Sequence, residues 1–314
     1  MKKAAVVFIT LIIAASAAPR TITVDNDNPA NFTTIQAAID DANDGDTVEV
    51  QPGTYTGSGN RDIDFNGKAI TLRSATGPEN CIIDCNGTDS EPHRGFYFHS
   101  GEEPNSILDG FTITGGYGNE QGGAIYCYSS HPLITNCNIT GNAVNGSISE
   151  GGGIYCRSSR MILTNCTITN NSADYTGGGI VIDYYGGNPM IDNCKIIANS
   201  ATYSGGGIAV TVSYSKISNC IIAGNSAYLG GASYLQSHAQ AEFTNCTITG
   251  NRATHRGGAI VSWRQAHADI RNSIIWDNAT WDAETASIWT YCGFMSGGFA
   301  RASYSIVQYS PSSL

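Results

Sequence analysis

Hydrophobic and polar residues alternate along most of this chain, in runs of only a few residues each. In one such run the apolar Ile154 and Cys156 alternate with Tyr155 and Arg157, and the same alternation returns after Asn165. A period of two is typical of a strand with one buried face. The apolar spacing of a helix is absent from these runs, so the stretch from 151 to 173 is predicted to form three short strands and three corners.

The pattern recurs every 26 to 30 residues. A repeat of this length is typical of stacked units that share one continuous core. Short parallel strands joined by tight corners and stacked in register predict a parallel β-helix of roughly ten coils. The marker of each repeat is an Asn-Cys step, found at 80–81, 136–137, 165–166, 193–194, 219–220 and 245–246, with degenerate copies at 110–111 and 272–273.

Two corners of each coil are marked by columns of asparagine. One repeat carries Gly110 in the first column and Gly116 in the second. Asn and Gly share a tolerance for positive φ, so we predict a left-handed corner at both columns. Stacked Asn side chains are also expected to hydrogen-bond from coil to coil. Glycine doublets beginning at 122, 151, 177, 205, 230 and 257 mark the third corner.

The chain contains ten cysteines, of which six follow the first Asn column. Phe111 and Ser273 occupy that slot in other repeats, which indicates a packing position. Free Cys behaves as a small hydrophobic residue. We therefore predict a stack of buried thiols and reserve disulfide bonding for Cys85 and Cys292, which lie outside the repeat pattern.

The N-terminal part is predicted to cap the rod with a short helix, because Ile35, Ala38, Ile39 and Ala42 have helical spacing. Residues 32–39 and 50–55 resemble the start of pectin methylesterases. The repeats resemble the right-handed parallel β-helix of the pectin-lyase-like superfamily. The resemblance implies an all-β, single-stranded right-handed parallel β-helix with three strands per coil.

Three regions are expected along the chain. Residues 1–18 have the charged start, apolar run and small-residue cleavage site of a secretory signal. Residues 19–75 form the N-terminal cap and first coils, and residues 76–314 form the repeats. The repeat degrades after Asn278, so the C-terminus is either truncated or capped by its Trp-rich end. The expected location is extracellular or at the cell surface, with the periplasm left open.

Composition narrows the range of partners. Charged residues make up 13% of the chain and the formal net charge is −10. Nucleic-acid binding is disfavoured because it needs a basic face. No segment after the signal is long and apolar enough for a membrane span. We expect a monomer. Acidic runs near 25–28 and 40–46 leave Ca²⁺ open as a cofactor, but they lack the ligand spacing of a calcium loop and turn and cap chemistry is favoured.

Charged residues near one glycine corner form the first candidate site. Three acids precede that corner on successive coils, and an Arg and an Asp share one slot on the strand that follows. The candidate catalytic residues are Glu120, Glu150, Asp174, Arg157 and Asp183. Tyr126, Tyr128 and Tyr155 flank them as candidate sugar-binding residues. The alternative is a solvated corner with one weak surface ion pair.

Aromatic residues supply two further candidate surfaces. Tyr175, Tyr203, Tyr228 and His255 occupy one slot on consecutive coils, which suits a glycan chain lying along the rod or simple corner stacking. All four Trp lie between 263 and 289, where Trp263 is a candidate for sugar binding. The alternative for the Trp group is that it closes the end of the rod.

Two functional hypotheses follow from these residues. The first is a secreted protein that engages polysaccharide or a cell-surface glycan, with polysaccharide lyase or glycoside hydrolase activity left open. The second is a non-catalytic surface or adhesive rod, because residues 248–253 and 257–260 resemble repeats of chlamydial polymorphic membrane proteins. The catalytic patterns of polygalacturonases, pectin methylesterases and calcium-dependent pectate lyases are not recognisable here.

Overall fold

The computed structural model describes residues 18–27, 30–184, 187–280, 287–290 and 299–307. These residues form a parallel β-solenoid of about ten turns, with strands that pair in parallel from coil to coil. The predicted all-β parallel β-helix is confirmed. Each full coil passes in turn through the first, second, third and fourth sheets, which are named here in that order.

The four sheets contain eleven, ten, seven and eight strands. The first comprises Thr21–Val24, Thr47–Val50, Thr71–Ser74, Ile107–Asp109, Leu133–Thr135, Ile162–Thr164, Met190–Asp192, Tyr214–Ser218, Gln240–Thr244, His267–Arg271 and Phe299–Ser303. The second comprises Gly53–Thr56, Cys81–Asp84, Thr112–Thr114, Asn138–Thr140, Thr167–Thr169, Lys195–Ile197, Ile221–Ala223, Thr247–Thr249, Ile274–Trp276 and Ile306–Val307. The third comprises Tyr117–Gln121, Ala143–Glu150, Ser172–Ala173, Ser200–Ala201, Ser226–Leu229, Arg252–Arg256 and Ala279–Thr280. The fourth comprises Phe96–Phe98, Ile125–Tyr128, Ile154–Arg157, Ile180–Asp183, Ile208–Thr211, Ser233–Gln236, Ile260–Trp263 and Ile288–Thr290.

The third sheet is the one that the sequence pattern did not predict, since three strands per coil were expected. Several of its strands are very short, and Ser172–Ala173 and Ser200–Ala201 have two residues each. Such a strand places a single apolar side chain inward, as Ala173 does. One buried residue gives no alternation, so the segment resembles a loop in the sequence.

The core is a continuous column of apolar side chains between the sheets. At the corner between the first and second sheets the cysteines stack as predicted, and each is almost fully buried. The amide of Cys137 lies 3.4 Å from Sγ of Cys166, and the amide of Cys194 lies at the same distance from Sγ of Cys220. Cys85 is likewise a buried free thiol, and Cys292 lies outside the described residues.

The two Asn columns have different backbone conformations. In the first column the prediction of positive φ is confirmed for every position except Asn80, with Asn165 at 55° and Asn219 at 55°. In the second column it is wrong for all but Asn86, because the left-handed residue is the one before the asparagine, such as Gly224 at 64° or Ala198 at 55°. The second-column Asn turns inward instead and is fully buried.

The buried second column forms the predicted hydrogen-bond ladder. Asn199 donates from Nδ2 to Oδ1 of Asn225 at 3.0 Å and to the carbonyl of Ile168 at 2.9 Å. Oδ1 of Asn199 in turn accepts from the amide nitrogen and Nδ2 of Asn171. The ladder runs from Asn142 to Asn278. Every buried amide is therefore satisfied by the coils on either side.

The predicted N-terminal helix spans Ile35–Asp41 and buries Ile35, Ala38 and Ile39 against the first coils. Thr34 precedes it but makes no capping bond through its side chain. Oδ1 of Asn60 accepts from the amide of Ile35 at 3.0 Å, so a residue from the first turns caps the helix. The proposed signal segment lies outside the described residues, except for its last position.

Glycine is required at the corner between the third and fourth sheets. Gly151 has φ 73°, and a Cβ there would lie 2.4 Å from the carbonyl oxygen of Ile154. The equivalent glycines of neighbouring coils are similarly crowded. This tight corner places the end of the third sheet beside the outer face of the fourth.

Candidate functional site

The outer face of the fourth sheet carries two columns of side chains. Strand register pairs Tyr126 with Tyr155, and Arg157 with Asp183, as the repeat alignment predicted. The first outward column contains Tyr97, Tyr126, Tyr155, Val181, Ala209, Tyr234, Val261 and Trp289. The second contains Tyr128, Arg157, Asp183, Thr211, Gln236 and Trp263.

Tyr155, Arg157 and Asp183 form the centre of the candidate site. The Tyr155 hydroxyl donates to Oδ2 of Asp183 at 3.0 Å, and Nε of Arg157 lies 3.9 Å from the same oxygen. The Arg157 guanidinium also lies over the ring of Tyr184, 5.1 Å from its centroid. Burial, together with the charge of Asp183, raises the pKa of Tyr155 well above its ordinary value. Tyr155 therefore stays protonated as a hydrogen-bond donor.

Glu150 is partly buried at the end of its third-sheet strand, where the glycine corner turns towards Tyr155. Burial, reinforced by repulsion from Asp183, raises the pKa of Glu150 to about 7. A hydrogen bond with Gln121, attraction to Arg157 and a hydrogen bond with Tyr155 act in the opposite direction. A carboxyl group with this pKa exists in both protonation states near neutral pH, as general acid–base chemistry requires.

The other two acids of the predicted cluster do not form a column with Glu150. Gln121, rather than Glu120, pairs with Glu150, and Glu120 is exposed with φ 80°. On the next coil Glu150 bridges to Thr176, while Oδ2 of Asp174 lies 3.4 Å from the amide of Gly146. The register shifts between 145 and 150 because this coil is longer at this corner. Gly151 follows the buried Asn142 by nine residues, whereas Gly177 follows Asn171 by six in the next coil.

Arg94 is a member of this surface that sequence reasoning missed. Its guanidinium lies 5.1 Å from the ring centroid of Tyr126 and 5.5 Å from that of Tyr97. Burial lowers the pKa of Arg94, and the nearby charge of Asp62 opposes that shift. Arg94 belongs to the non-repeating stretch before the first fourth-sheet strand, so the periodic pattern gave no signal for it. A second fixed cation thus flanks the tyrosines.

The expected aromatic ladder forms at the corner between the third and fourth sheets. Tyr175 and Tyr203 stack at 5.1 Å between centroids with their planes 2° apart. Tyr228 and His255 continue the stack at 6.0 and 4.9 Å. The exposed tyrosines of the ladder form one edge of the fourth-sheet surface, so a ligand lying on that surface could contact them.

The Trp residues do not form a single cluster. Trp263 and Trp289 stack at 5.5 Å on the fourth sheet, whereas Trp276 is exposed on the second sheet. Trp281 lies outside the described residues. Tyr128, another candidate binding residue, is 44% exposed and neighbours Arg157 in the outer column. Of the aromatic candidates, Trp263 lies with Tyr175 and Tyr203 around one groove of about 230 Å³.

Metal binding gains no support from the described parts of the chain, where no group of three or more His, Cys, Asp or Glu side chains is placed to hold an ion. The second acidic run instead includes a structural ion pair, in which Nε of Arg20 lies 2.9 Å from Oδ2 of Asp46. Across the described residues, no helix is long and apolar enough to cross a membrane.

The arrangement combines four elements on one face. A carboxyl group with a pKa near neutrality adjoins a second carboxylate, a protonated tyrosine and an arginine. Aromatic rings extend from this centre along the rod in both directions. Such a face can bind an extended chain of rings and supply or remove a proton at its centre.

Comparison with solved structures shows the same architecture in proteins of very different sequence. A pectin methylesterase from carrot matches with a TM-score of 0.50 and 11% identity, covering 92% of this chain and 91% of that one. The pectate lyase Pel9A matches with a TM-score of 0.49 and 13% identity, covering 94% and 78%. An alginate lyase from Paenibacillus sp. str. FPU-7 gives 0.41 and 17%, covering 86% and 97%. At these identities the likeness concerns the fold alone.

No curated protein matches the sequence. The family model described as the right handed beta helix region matches residues 117–275, which is more than half of the chain. That segment holds the Asn ladder from Asn142 to Asn251, the cysteine stack from Cys137 to Cys246 and the candidate centre of the fourth sheet. The chain therefore belongs to the right-handed β-helix family.

Proposed function

We propose that this protein is a secreted polysaccharide-cleaving β-helix that holds a glycan chain along the outer face of its fourth sheet. The observation that carries the proposal is Glu150, whose pKa is about 7, next to Tyr155 and Asp183 in the middle of an aromatic surface. We propose Glu150 as the general acid–base group and Arg157 as the positive charge that orients the substrate. The apolar N-terminal segment supports secretion.

Geometry supports these roles in a specific way. Asp183 accepts a hydrogen bond from the Tyr155 hydroxyl. Burial of Glu150, reinforced by the charge of Asp183, raises the pKa of Glu150 to about 7, so its proton stays bound up to near-neutral pH. Arg157 pairs only loosely with Asp183, at 3.9 Å, so its remaining donors are available to a substrate oxygen. A lyase and a hydrolase would both use a group like Glu150, and the products distinguish them.

The test is release of reducing ends by the purified mature chain from a panel of acidic and neutral polysaccharides. Ultraviolet absorbance of the products would report the double bond that a lyase leaves and a hydrolase does not. We expect Glu150→Gln to lower the rate at least about 100-fold, as removal of an acid–base group does. Arg157→Ala should raise KM more than it lowers kcat.

Glu120→Gln is the matched control, because Glu120 is an exposed carboxylate on the preceding coil that does not pair with Glu150. It should leave the rate unchanged. Thermal unfolding of each variant would verify that the rod is intact. Wild-type rates in both Glu150→Gln and Arg157→Ala would remove this centre from consideration.

A second candidate function is binding without cleavage, as in an adhesive rod. The exposed stack from Tyr175 to His255 favours it, because a flat aromatic edge can hold a glycan with no catalytic group nearby. Retention of a polysaccharide on the immobilised protein, with no new reducing ends across the panel, would select this function over the first.

A further inference from the structure

A groove on the fourth sheet lies next to the Glu150 centre, towards the C-terminal end of the rod. It encloses about 230 Å³ and is lined by Tyr175, Tyr203, Tyr234, Gln236, Trp263 and Arg264, with Leu229 also contributing. In the first outward column Val181 and Ala209 separate Tyr155 from Tyr234. Both side chains are small and almost fully buried, and neither lines the groove.

Tyr234 is the residue that indicates a ligand. Its side chain is 4% exposed and packs against Leu229 and Val261. Within the described part of the chain its hydroxyl makes no hydrogen bond. The small exposed part of Tyr234 includes this hydroxyl, so solvent or a ligand in the groove can reach it. The hydroxyl therefore provides an unused donor and acceptor at the wall of the groove.

The charge of the lining is positive. Arg264 is the cation among the lining residues, and none of them is a carboxylate. Burial raises the pKa of Tyr234, and the charge of Arg264, which lines the same groove, opposes that rise. The aromatic side chains provide flat apolar walls, and Gln236 adds an amide on the opposite column from Tyr234.

We propose that this groove is a binding site for a single sugar ring that carries a carboxylate or sulfate group. The sugar ring stacks on the wall of the groove formed by Tyr203 and Trp263. Its anionic group pairs with Arg264, and a ring hydroxyl hydrogen-bonds to Tyr234 and Gln236. The inference rests on the glycan binding of the proposed function and not on chain cleavage. The residues that line the groove include no carboxyl, imidazole or thiol group, so the proposal assigns no proton transfer to the groove.

The experiment is titration calorimetry of the full mature chain with glucuronate, galacturonate and glucose 6-sulfate, and with glucose and galactose as neutral counterparts. We expect binding of at least one anionic sugar in the millimolar range and none of the neutral ones. Tyr234→Phe keeps the ring and should weaken binding about fivefold. Arg264→Gln, at an exposed position, should weaken it at least about tenfold.

Arg160→Gln is the control, since Arg160 is an exposed arginine that does not line the groove. It should bind as the wild type does. The proposal is overturned if no sugar binds, if neutral and anionic sugars bind equally, or if both groove variants bind like the wild type. Sugar binding without any polymer cleavage would support the groove and reject the proposed cleavage at Glu150.

Discussion

The hydroxyl of Tyr155 lies 3.0 Å from Oδ2 of Asp183, on the strand of the next coil. Tyr155 is 0% exposed, so this bond satisfies a hydroxyl that water cannot reach. The same tyrosine lowers the pKa of Glu150, against the larger upward effects of burial and of Asp183. Tyr155 therefore links the packing of two coils, through its bond to Asp183, to the protonation of the candidate acid–base group Glu150.

Tyr155→Phe should consequently change both stability and pH behaviour. Loss of a hydrogen bond to a charged partner should lower the free energy of unfolding by about 1.5–3 kcal/mol. The pKa of Glu150 should rise further, so any pH–rate profile should shift to higher pH. Urea unfolding and a pH series measure the two effects. Tyr128→Phe, at an exposed site one coil away, is the control, and equal behaviour of the two variants would contradict the prediction.

The pKa of Glu150 predicts how stability depends on pH. Because the pKa is raised from 4.5 to about 7 in the folded chain, the folded state binds the proton more tightly than the unfolded state. The contribution is fully present below pH 4.5 and is lost as pH rises through about 7. The loss should amount to roughly 1–3 kcal/mol. Unfolding measured across this window should show a smaller decline in Glu150→Gln, and an unchanged slope would show that Glu150 is not the group responsible.

The buried Asn ladder should be one of the most sensitive features of the rod. Asn199→Ala removes two donated bonds and leaves the amide of Asn171 without its acceptor. We expect a loss of about 2–4 kcal/mol, because buried polar groups on both neighbouring coils lose partners. Asn193→Gly, in the exposed first column with φ 50°, retains a compatible backbone and should cost less than about 1 kcal/mol. Similar losses in thermal unfolding for the two variants would argue against the ladder as the main stabiliser.

The thiols should be chemically silent in the folded state. Nine cysteines of the described residues are free and buried, including Cys85. Reaction with a thiol reagent should therefore be slow in native buffer and fast in denaturant, since burial keeps the reagent away from the side chains. Mass spectrometry of labelled peptides would identify each site. Rapid native labelling of Cys166 or Cys194 would show that the stack opens without global unfolding.

Much of the fold could be predicted from local chemistry. The repeat length, the buried cysteine slot and the left-handed first Asn column each follow from a side chain that acts within its own coil. The second Asn column was misplaced by one residue, because Asn and Gly are interchangeable as signals of positive φ but Asn142 is selected for its buried amide. Substitution patterns do not distinguish those two reasons.

The candidate site was less predictable because it depends on contacts between coils. Arg157 and Asp183 were aligned correctly, since no insertion lies between their strands and the register is constant. Glu120 and Asp174 were not aligned correctly with Glu150, because the longer segment after Asn142 shifts the register of that strand. Tyr234 had no distinguishing feature in the sequence. Its importance lies in an unpaired hydroxyl, which only the three-dimensional arrangement reveals.

In-register stacking also determines how damage spreads through this molecule. Each coil contacts mainly the coil before and the coil after it, so a substitution in the cysteine column near 137 and one near 246 should have additive effects. Fraying that starts at the C-terminal end would reach Trp263 and Arg264 before it reaches Glu150. Partial melting could therefore abolish sugar capture in the groove while the acid–base centre still holds its shape.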